Sequence, residues 1–423
     1  MRSRYKKLGP YIQEVDQKNT DLSVTRLLGV SVSKEFIPSI ANTIGTNMAT
    51  YKIVCQRQFA YGPVTSRNSD KVSIALLKED QCIVSTSYTV FEIIDQEALL
   101  PEYLMMWFRR PEFDRYARFM SHGSVRELFG WEEMSDVELP IPSIEKQQEI
   151  VKEYHTILER INLNDRLIQK LEEIAQTIYK QWFEDFEFPI SAEYAAVIDE
   201  PELEGQPYKS IGGEMVFSEI LEKMIPKGWE RNELKHLAQI KGGKRLPTTE
   251  LLIADPTPHP YIKVADMGRS KFVCLNKNFD YLTAAVQKQI SRYIVHTEDL
   301  IISIVGTIGT VSIIDNSLNG ANLTENCARI SELKKVTTDY LYHFFYSKRG
   351  REEIEMRTVG GVQGKLPLYN IGALEMLIPK EPEIARFSAV VSPINQSILS
   401  AIKEADCLAK MLDVLFARIS RLQ

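Results

Sequence analysis

Gly360-Gly361-Val362-Gln363-Gly364-Lys365-Leu366 is the segment of this 423-residue chain that comes nearest to a phosphate-binding loop. Such a loop surrounds phosphate with backbone N–H groups and follows its lysine with a Ser/Thr that holds magnesium. Here the spacing is one residue short and Leu366 stands at the magnesium position, so a nucleotide site is not expected. Methyl transfer to an amino nitrogen would need an Asn/Asp-Pro-Pro-aromatic loop, and Asp255-Pro256 runs on into Thr257-Pro258 instead. The histidines His122, His155, His236, His259, His296 and His343 form no HExxH or paired ligand pattern, which gives metal catalysis no support. Cys55, Cys82, Cys274, Cys327 and Cys407 are scattered without a CxxC pair, as suits a reducing compartment, and argue against structural zinc.

What the chain does arrange is itself. Tyr103-Leu104 recurs as Tyr340-Leu341, Gly123-Ser124-Val125 as Gly360-Gly361-Val362, Val137-Glu138-Leu139-Pro140-Ile141-Pro142 as Leu374-Glu375-Met376-Leu377-Ile378-Pro379, and Ile178-Tyr179 as Leu415-Phe416. Every pair is separated by the same 237 positions. Solenoid arrays repeat every 20 to 50 residues or so. A long period with two copies reads as a duplicated domain.

Each copy ends in a long amphipathic stretch. After Pro142 the apolar positions Ile150, Tyr154, Ile157, Ile161, Ile168, Leu171, Ala175, Ile178 and Trp182 step by three and four, with Asn164 in the remaining seam position. The second seam is Phe387, Val391, Ile394, Ile398, Ala401, Ala405, Leu408, Leu412, Leu415 and Ile419. Two amphipathic helices could each pack on their own domain; two matched stripes favour pairing with each other. Roughly 40 residues at about 1.5 Å each would make a rod of about 60 Å, a spacer's length. Pro393, whose counterpart is Thr156, predicts a bend or break in the second helix.

The net charge of −6 is unevenly spread. Residues 143–226 carry 8 Lys/Arg against 18 Asp/Glu, whereas 227–379 carry 20 against 16. The acidic stretch should be held off phosphates, while the rest can still present a basic face. The start, Met1-Arg2-Ser3-Arg4-Tyr5-Lys6-Lys7, leads into no apolar stretch, and the most apolar run, Leu300 to Ile314, is too short to span a bilayer, so no membrane association is expected.

Local patterns place strands at Cys82 to Ile94, Gln58 to Tyr61, Leu300 to Ile304 and Thr310 to Ile314, the last two around Gly306-Thr307-Ile308-Gly309. Tyr103 to Phe108 and Tyr340 to Tyr346 look helical. The expected order is a globular domain at 1–142, a helix at 143–183, an acidic Pro- and Gly-containing connector at 184–226, a second domain at 227–379 and a second helix at 380–423. The fold class is α+β, made twice.

Three segments carry a resemblance. Leu139-Pro140-Ile141-Pro142-Ser143-Ile144-Glu145-Lys146-Gln147-Gln148-Glu149-Ile150, Trp182-Phe183-Glu184-Asp185-Phe186-Glu187-Phe188-Pro189 and Ile225-Pro226-Lys227-Gly228-Trp229-Glu230 resemble, in order and spacing, the specificity (S) subunits of type I restriction-modification systems. The likeness extends over essentially the whole chain, although Ile378-Pro379-Lys380-Glu381-Pro382 lacks a glutamine equivalent to Gln147. It implies two target-recognition domains, each reading half of an interrupted double-stranded DNA site, and an antiparallel coiled coil that fixes the unread gap. It implies no catalytic site and no cofactor on this chain, and a cytoplasmic complex with two methyltransferase (M) subunits and two restriction/translocase (R) subunits. The M subunits use S-adenosylmethionine to methylate adenine, and the R subunits use ATP. The purified chain alone is then expected neither to methylate nor to cleave DNA.

Readout of base edges uses polar side chains on loops. The first domain offers Tyr61, Thr65, Ser66, Arg67, Asn68, Ser124 and Arg126; the second offers Lys244, Arg245, Thr307, Gln363 and Lys365. The alternative reading is a coiled-coil scaffold that spaces protein partners without DNA, and the presence or absence of neighbouring methyltransferase and translocase genes separates the two.

Overall fold

Proline starts two successive helices, Pro101–Phe108 and Pro111–Met120, where its missing N–H costs nothing and acidic residues follow in the first turn. They pack beside an antiparallel sheet in the strand order Ile12–Val15, Thr89–Ile93, Phe59–Tyr61, Ile74–Leu76. The computed structural model describes residues 5–39, 45–65, 71–122, 127–219, 222–361 and 364–421. It divides into two units, Met1–Glu159 with Leu408–Gln423, and Arg160–Cys407.

The second unit repeats the plan of the first. Its sheet runs Gln239–Gly242, Cys327–Ser331, Leu300–Ser303, Val311–Ile314, with Phe272–Val273 added in parallel at the far edge. The helices Lys348–Arg357 and Leu368–Gly372 lie 237 positions beyond Pro111–Met120 and Trp131–Ser135 at both ends. The long helices Ile144–Tyr179 and Glu381–Ser420 begin at the same separation. Buried hydrogen bonds follow suit: Tyr103 Oη donates to the Pro140 carbonyl, and Tyr340 Oη to that of Leu377. In each copy an edge pair precedes the long helix, Tyr5–Lys7 with Glu138–Pro140 and Glu230–Glu233 with Glu375–Ile378.

No expected seam position of either long helix is exposed. Within the second unit Arg160 clasps Glu404 at 2.7 and 2.9 Å, Asn164 donates to Glu404 at 3.0 Å, and Ile168 packs on Ile398 and Ala401. Partner numbers fall as the first helix advances, so the helices run antiparallel there. Within the first unit Tyr154 meets Phe416 at 5.8 Å between centroids, and Arg418 pairs with Glu153. Asn164 is 1% exposed, and a polar seam residue of this kind fixes register. Pro393 does not break its helix, which is continuous from Glu381 to Ser420. Pro393 lies on the exposed face, where water can satisfy the carbonyl that lost its donor.

Two expectations need correction. Cys82 to Ile94 is two strands, because Ser85 and Tyr88 close a turn at 3.1 Å between Cys82–Val84 and Thr89–Ile93. The acidic stretch 184–226 is not a loose tether. The first long helix passes into a π-turn, Lys180–Glu184, and Phe186 and Phe188 then pack on Trp229 at 5.5 and 5.4 Å, with Phe188 stacked on Tyr208 at 4.5 Å. Its acids face water while Phe186, Phe188 and Tyr208 join the second unit's core.

Gln147 explains why the second copy can do without its counterpart. Fully buried, it accepts the Leu100 N–H at 2.9 Å and donates to the carbonyls of Ala98 and Pro142 at 3.0 and 2.9 Å. The equivalent position holds Ile384, buried in an apolar cluster. Gln147→Leu should strand these backbone groups and destabilise the protein by about 2 to 3 kcal/mol. Urea unfolding reads this, and a midpoint equal to that of the native chain would show that the three bonds contribute nothing.

Candidate nucleic-acid interface

Each copy carries its polar loop on the same frame. In the first unit His122 and Leu128 exchange backbone hydrogen bonds at 3.1 and 2.9 Å, Leu128 also bridges Val64, and the Phe129 N–H donates to Pro63. In the second, Val359 and Lys365 exchange bonds at 2.9 and 2.8 Å, Lys365 bridges Val305, and the Leu366 N–H donates to Ile304. A hydroxyl ties each frame to the preceding helix, Ser121 to Ala117 and Thr358 to Ile354. In both copies these bonds fix the residues that flank the polar segment, and a rigid flank lets the side chains between vary without disturbing the scaffold.

Ser66, Arg67, Asn68, Ser124, Arg126 and Gln363 lie outside the described residues. Tyr61 is not a surface residue. It is fully buried, with its ring against Phe91 and Phe129 at 6.0 and 6.4 Å, and burial pushes its phenol pKa well up; it belongs to the core, not to a DNA contact. Thr65 is 2% exposed, and its Oγ1 lies 2.9 Å from Ser121 Oγ and 3.2 Å from the Glu127 carbonyl. It ties the residue before one polar segment to residues flanking the other.

Lys244, Arg245, Thr307 and Lys365 are exposed. Thr307 sits in the turn between Gly306 and Gly309, whose φ values of +81° and +82° suit glycine. The Val305–Lys365 bridge brings this turn to the loop frame. Lys244 and Arg245 occupy a second loop, held by the Leu323 carbonyl at 2.8 Å. A Cβ on Gly243 would lie 2.0 Å from the Thr324 carbonyl oxygen, so only glycine permits this approach. Arg245 is bound to Glu325 at 2.7 Å; burial raises the Glu325 pKa, but the hydrogen bonds from Arg245 and Thr324 outweigh it and hold the carboxyl below its usual range. Among the described residues no group of three or more His, Cys, Asp or Glu could hold a metal ion.

Sequence reasoning passed over one matched pair. Phe119, 83% exposed, and Met356, 63% exposed, stand 237 positions apart, each in the last turn of the helix that feeds its loop. The signal was the coincidence of two apolar residues on otherwise polar faces. Apolar side chains beside polar loops are what contact with a thymine methyl or an unstacked base step uses.

The chain is thus two copies of one α+β domain, each followed by a long helix. The chain belongs to the family of type I restriction-modification DNA specificity domains, which matches residues 33–173 and 226–406. It is similar to the MjaIX specificity subunit of Methanocaldococcus jannaschii, 23% identical over 349 residues, covering 79% of this chain and 72% of that one. It is also similar to the HindI specificity subunit of Haemophilus influenzae, 24% identical over 379 residues, covering 80% and 81%. The crystal structure of a type I S subunit from M. genitalium shares its fold, with a TM-score of 0.51 at 12% identity over 98% of this chain and 95% of that one. Among the described residues no helix is long and apolar enough to cross a membrane.

Proposed function

We propose that this chain reads a bipartite DNA site, each domain recognising one half, and docks methyltransferase and restriction subunits that carry out the chemistry. One observation carries the reading: the loop frame is built twice on equivalent backbone bonds, with its His122–Leu128 and Val359–Lys365 pairs 237 positions apart. Two readers on one face of a duplex must stand about one helical turn, roughly 34 to 36 Å, apart. The 36-residue first helix gives a span of about 54 Å, long enough to separate them. The chain acts where chromosomal DNA is, in the cytoplasm, and contributes no catalytic group or cofactor.

Docking of two methyltransferase subunits is supported by apolar side chains that the helix seams leave outside. Leu163, Leu167 and Ile174, spaced by four and seven, are 47%, 44% and 50% exposed, and Met411, the counterpart of Ile174, is 49% exposed. A matched exposed pair fits two copies of one partner. The restriction subunits then join through the methyltransferases.

Exchanging residues 1–142 for the same region of a relative tests the division of labour. The exchange carries both members of the Tyr5–Lys7 and Glu138–Pro140 strand pair, so the domain stays whole. One half of the methylated sequence should change and the other persist. A change in both halves, or in neither, rules out two independent readers.

A further inference from the structure

Lys271 is fully buried, and the groups around it join the second domain to both long helices. Its Nζ donates to Asp339 Oδ1 at 2.7 Å and to Asn395 Oδ1 at 2.8 Å, and lies 3.3 Å from His343 Nε2. An ammonium has three N–H donors, and three acceptors surround this one. Asp339 and His343 sit one turn apart on the domain's helix Thr338–Tyr346, while Asn395 comes from the second long helix. The Lys271 backbone N–H donates to Glu172 of the first long helix.

One turn beyond Glu172, Gln176 meets the same cluster. His343 Nδ1 and Gln176 Oε1 are 2.8 Å apart, and Gln176 Nε2 donates to the His343 carbonyl at 3.1 Å. With Nε2 turned to the ammonium, the imidazole proton belongs on Nδ1, facing Gln176. Burial, with the Lys271 charge adding to it, holds His343 well below its ordinary pKa and keeps the ring neutral. Asn395 Nδ2 donates to Asp339 Oδ1 at 2.8 Å and closes the network. The next residue, Phe272, packs on the seam cluster of Ile168, Ile398 and Ala401.

The first copy is built differently: Lys34, 237 positions before Lys271, is also buried, but it pairs with Asp114 at 2.8 Å and donates to the Phe108 carbonyl within its own domain, and touches neither long helix through these bonds. The equivalents of Asp339, His343 and Asn395 are Glu102, Met106 and Leu158, and Glu102 pairs with Arg57 at 2.7 Å instead. Apolar packing alone would hold the domain on the helices while tolerating small rotations. Bonds to a buried charge are directional, and any rotation that opened them would leave an ammonium unpaired in the interior.

We propose that the Lys271 cluster is a positioning device that fixes the second domain at one angle on the helix pair and thereby restricts the gap between half-sites to one length. The inference rests on the bipartite reading above. To test it, the complex of this chain with its methyltransferase subunits is given duplexes bearing the half-sites mapped from methylated adenines in the host, with the native gap or one base pair more or fewer. The native chain should strongly prefer its own gap. Lys271→Met should raise methylation of the altered gaps, relative to the native one, by about tenfold, equivalent to ~1.4 kcal/mol. Asn395→Ser, which removes one acceptor at a partly exposed position, should move the ratio the same way by less, and carries the test if Lys271→Met does not assemble. Thermal unfolding of each variant is measured alongside. Variants that melt earlier yet keep the native gap ratio would overturn the proposal, since a merely structural cluster would behave so. A native complex indifferent to gap length would overturn the bipartite reading itself, a result distinct from the first.

Discussion

Four residues inserted into each long helix, after Arg166 in the first and after Ile402 in the second, should lengthen the unread gap by at most about two base pairs and leave both half-sites as they were. The two points face one another, since Asn164 bonds Glu404 on one side of them and Ile168 packs on Ile398 and Ala401 on the other. Both helices must grow together, because an insertion in one alone would slide every later contact out of register. Four residues are about one turn and add roughly 6 Å, close to two steps of 3.4 Å along a DNA strand. Two residues per helix should instead abolish activity. They turn the residues beyond each insertion by roughly 200° relative to those before it, so that Ile168 in the first helix and Leu408 in the second would leave the seam set by the residues preceding them. Mapping methylated adenines across the genome of cells carrying each version decides the matter. An active four-residue version with the native gap would show that the helix pair is not the ruler.

The duplication was legible because a single offset survives in short, well-separated segments, and the structure repeats it down to the first residue of each long helix. The seams were legible for a related reason: helical periodicity reports burial directly, and even Asn164 stood out as the polar member of an apolar row. Burial across a fold is another matter. Tyr61 and Thr65 stood near the loops in sequence and were of types that touch bases, yet the sheet and the loop bases enclose them. The stretch after the first helix looked like a tether because its acids and prolines dominate its composition. Phe186, Phe188, Tyr208 and Trp229, scattered among them, meet only once the chain is folded. Lys271 was invisible for the same cause, since its partners Glu172, Asp339 and Asn395 are far from it in sequence and no local pattern marks a buried lysine.

Ile174→Asp and Met411→Asp should each cost the complex one methyltransferase subunit, and the two together should cost both. The expectation follows from the match between the copies: these side chains stand 237 positions apart, are about equally exposed, and lie outside the seams that pair the helices. A carboxylate placed in a buried apolar contact, with no partner arranged for it, weakens association by about 3 kcal/mol or more, or at least about 100-fold. The free chain should scarcely notice, because half-exposed positions away from the seam change stability by no more than about 0.5 kcal/mol. Sedimentation of the purified mixture distinguishes complexes holding two, one or no methyltransferase subunits, and thermal unfolding of the lone chain confirms that the helices remain intact. If the double variant still bound two subunits, the exposed apolar residues would not be the docking face. If either single variant lost both subunits, the two sites would be coupled through the helices rather than independent, which the antiparallel pair with its shared register would permit but two separate docking faces would not.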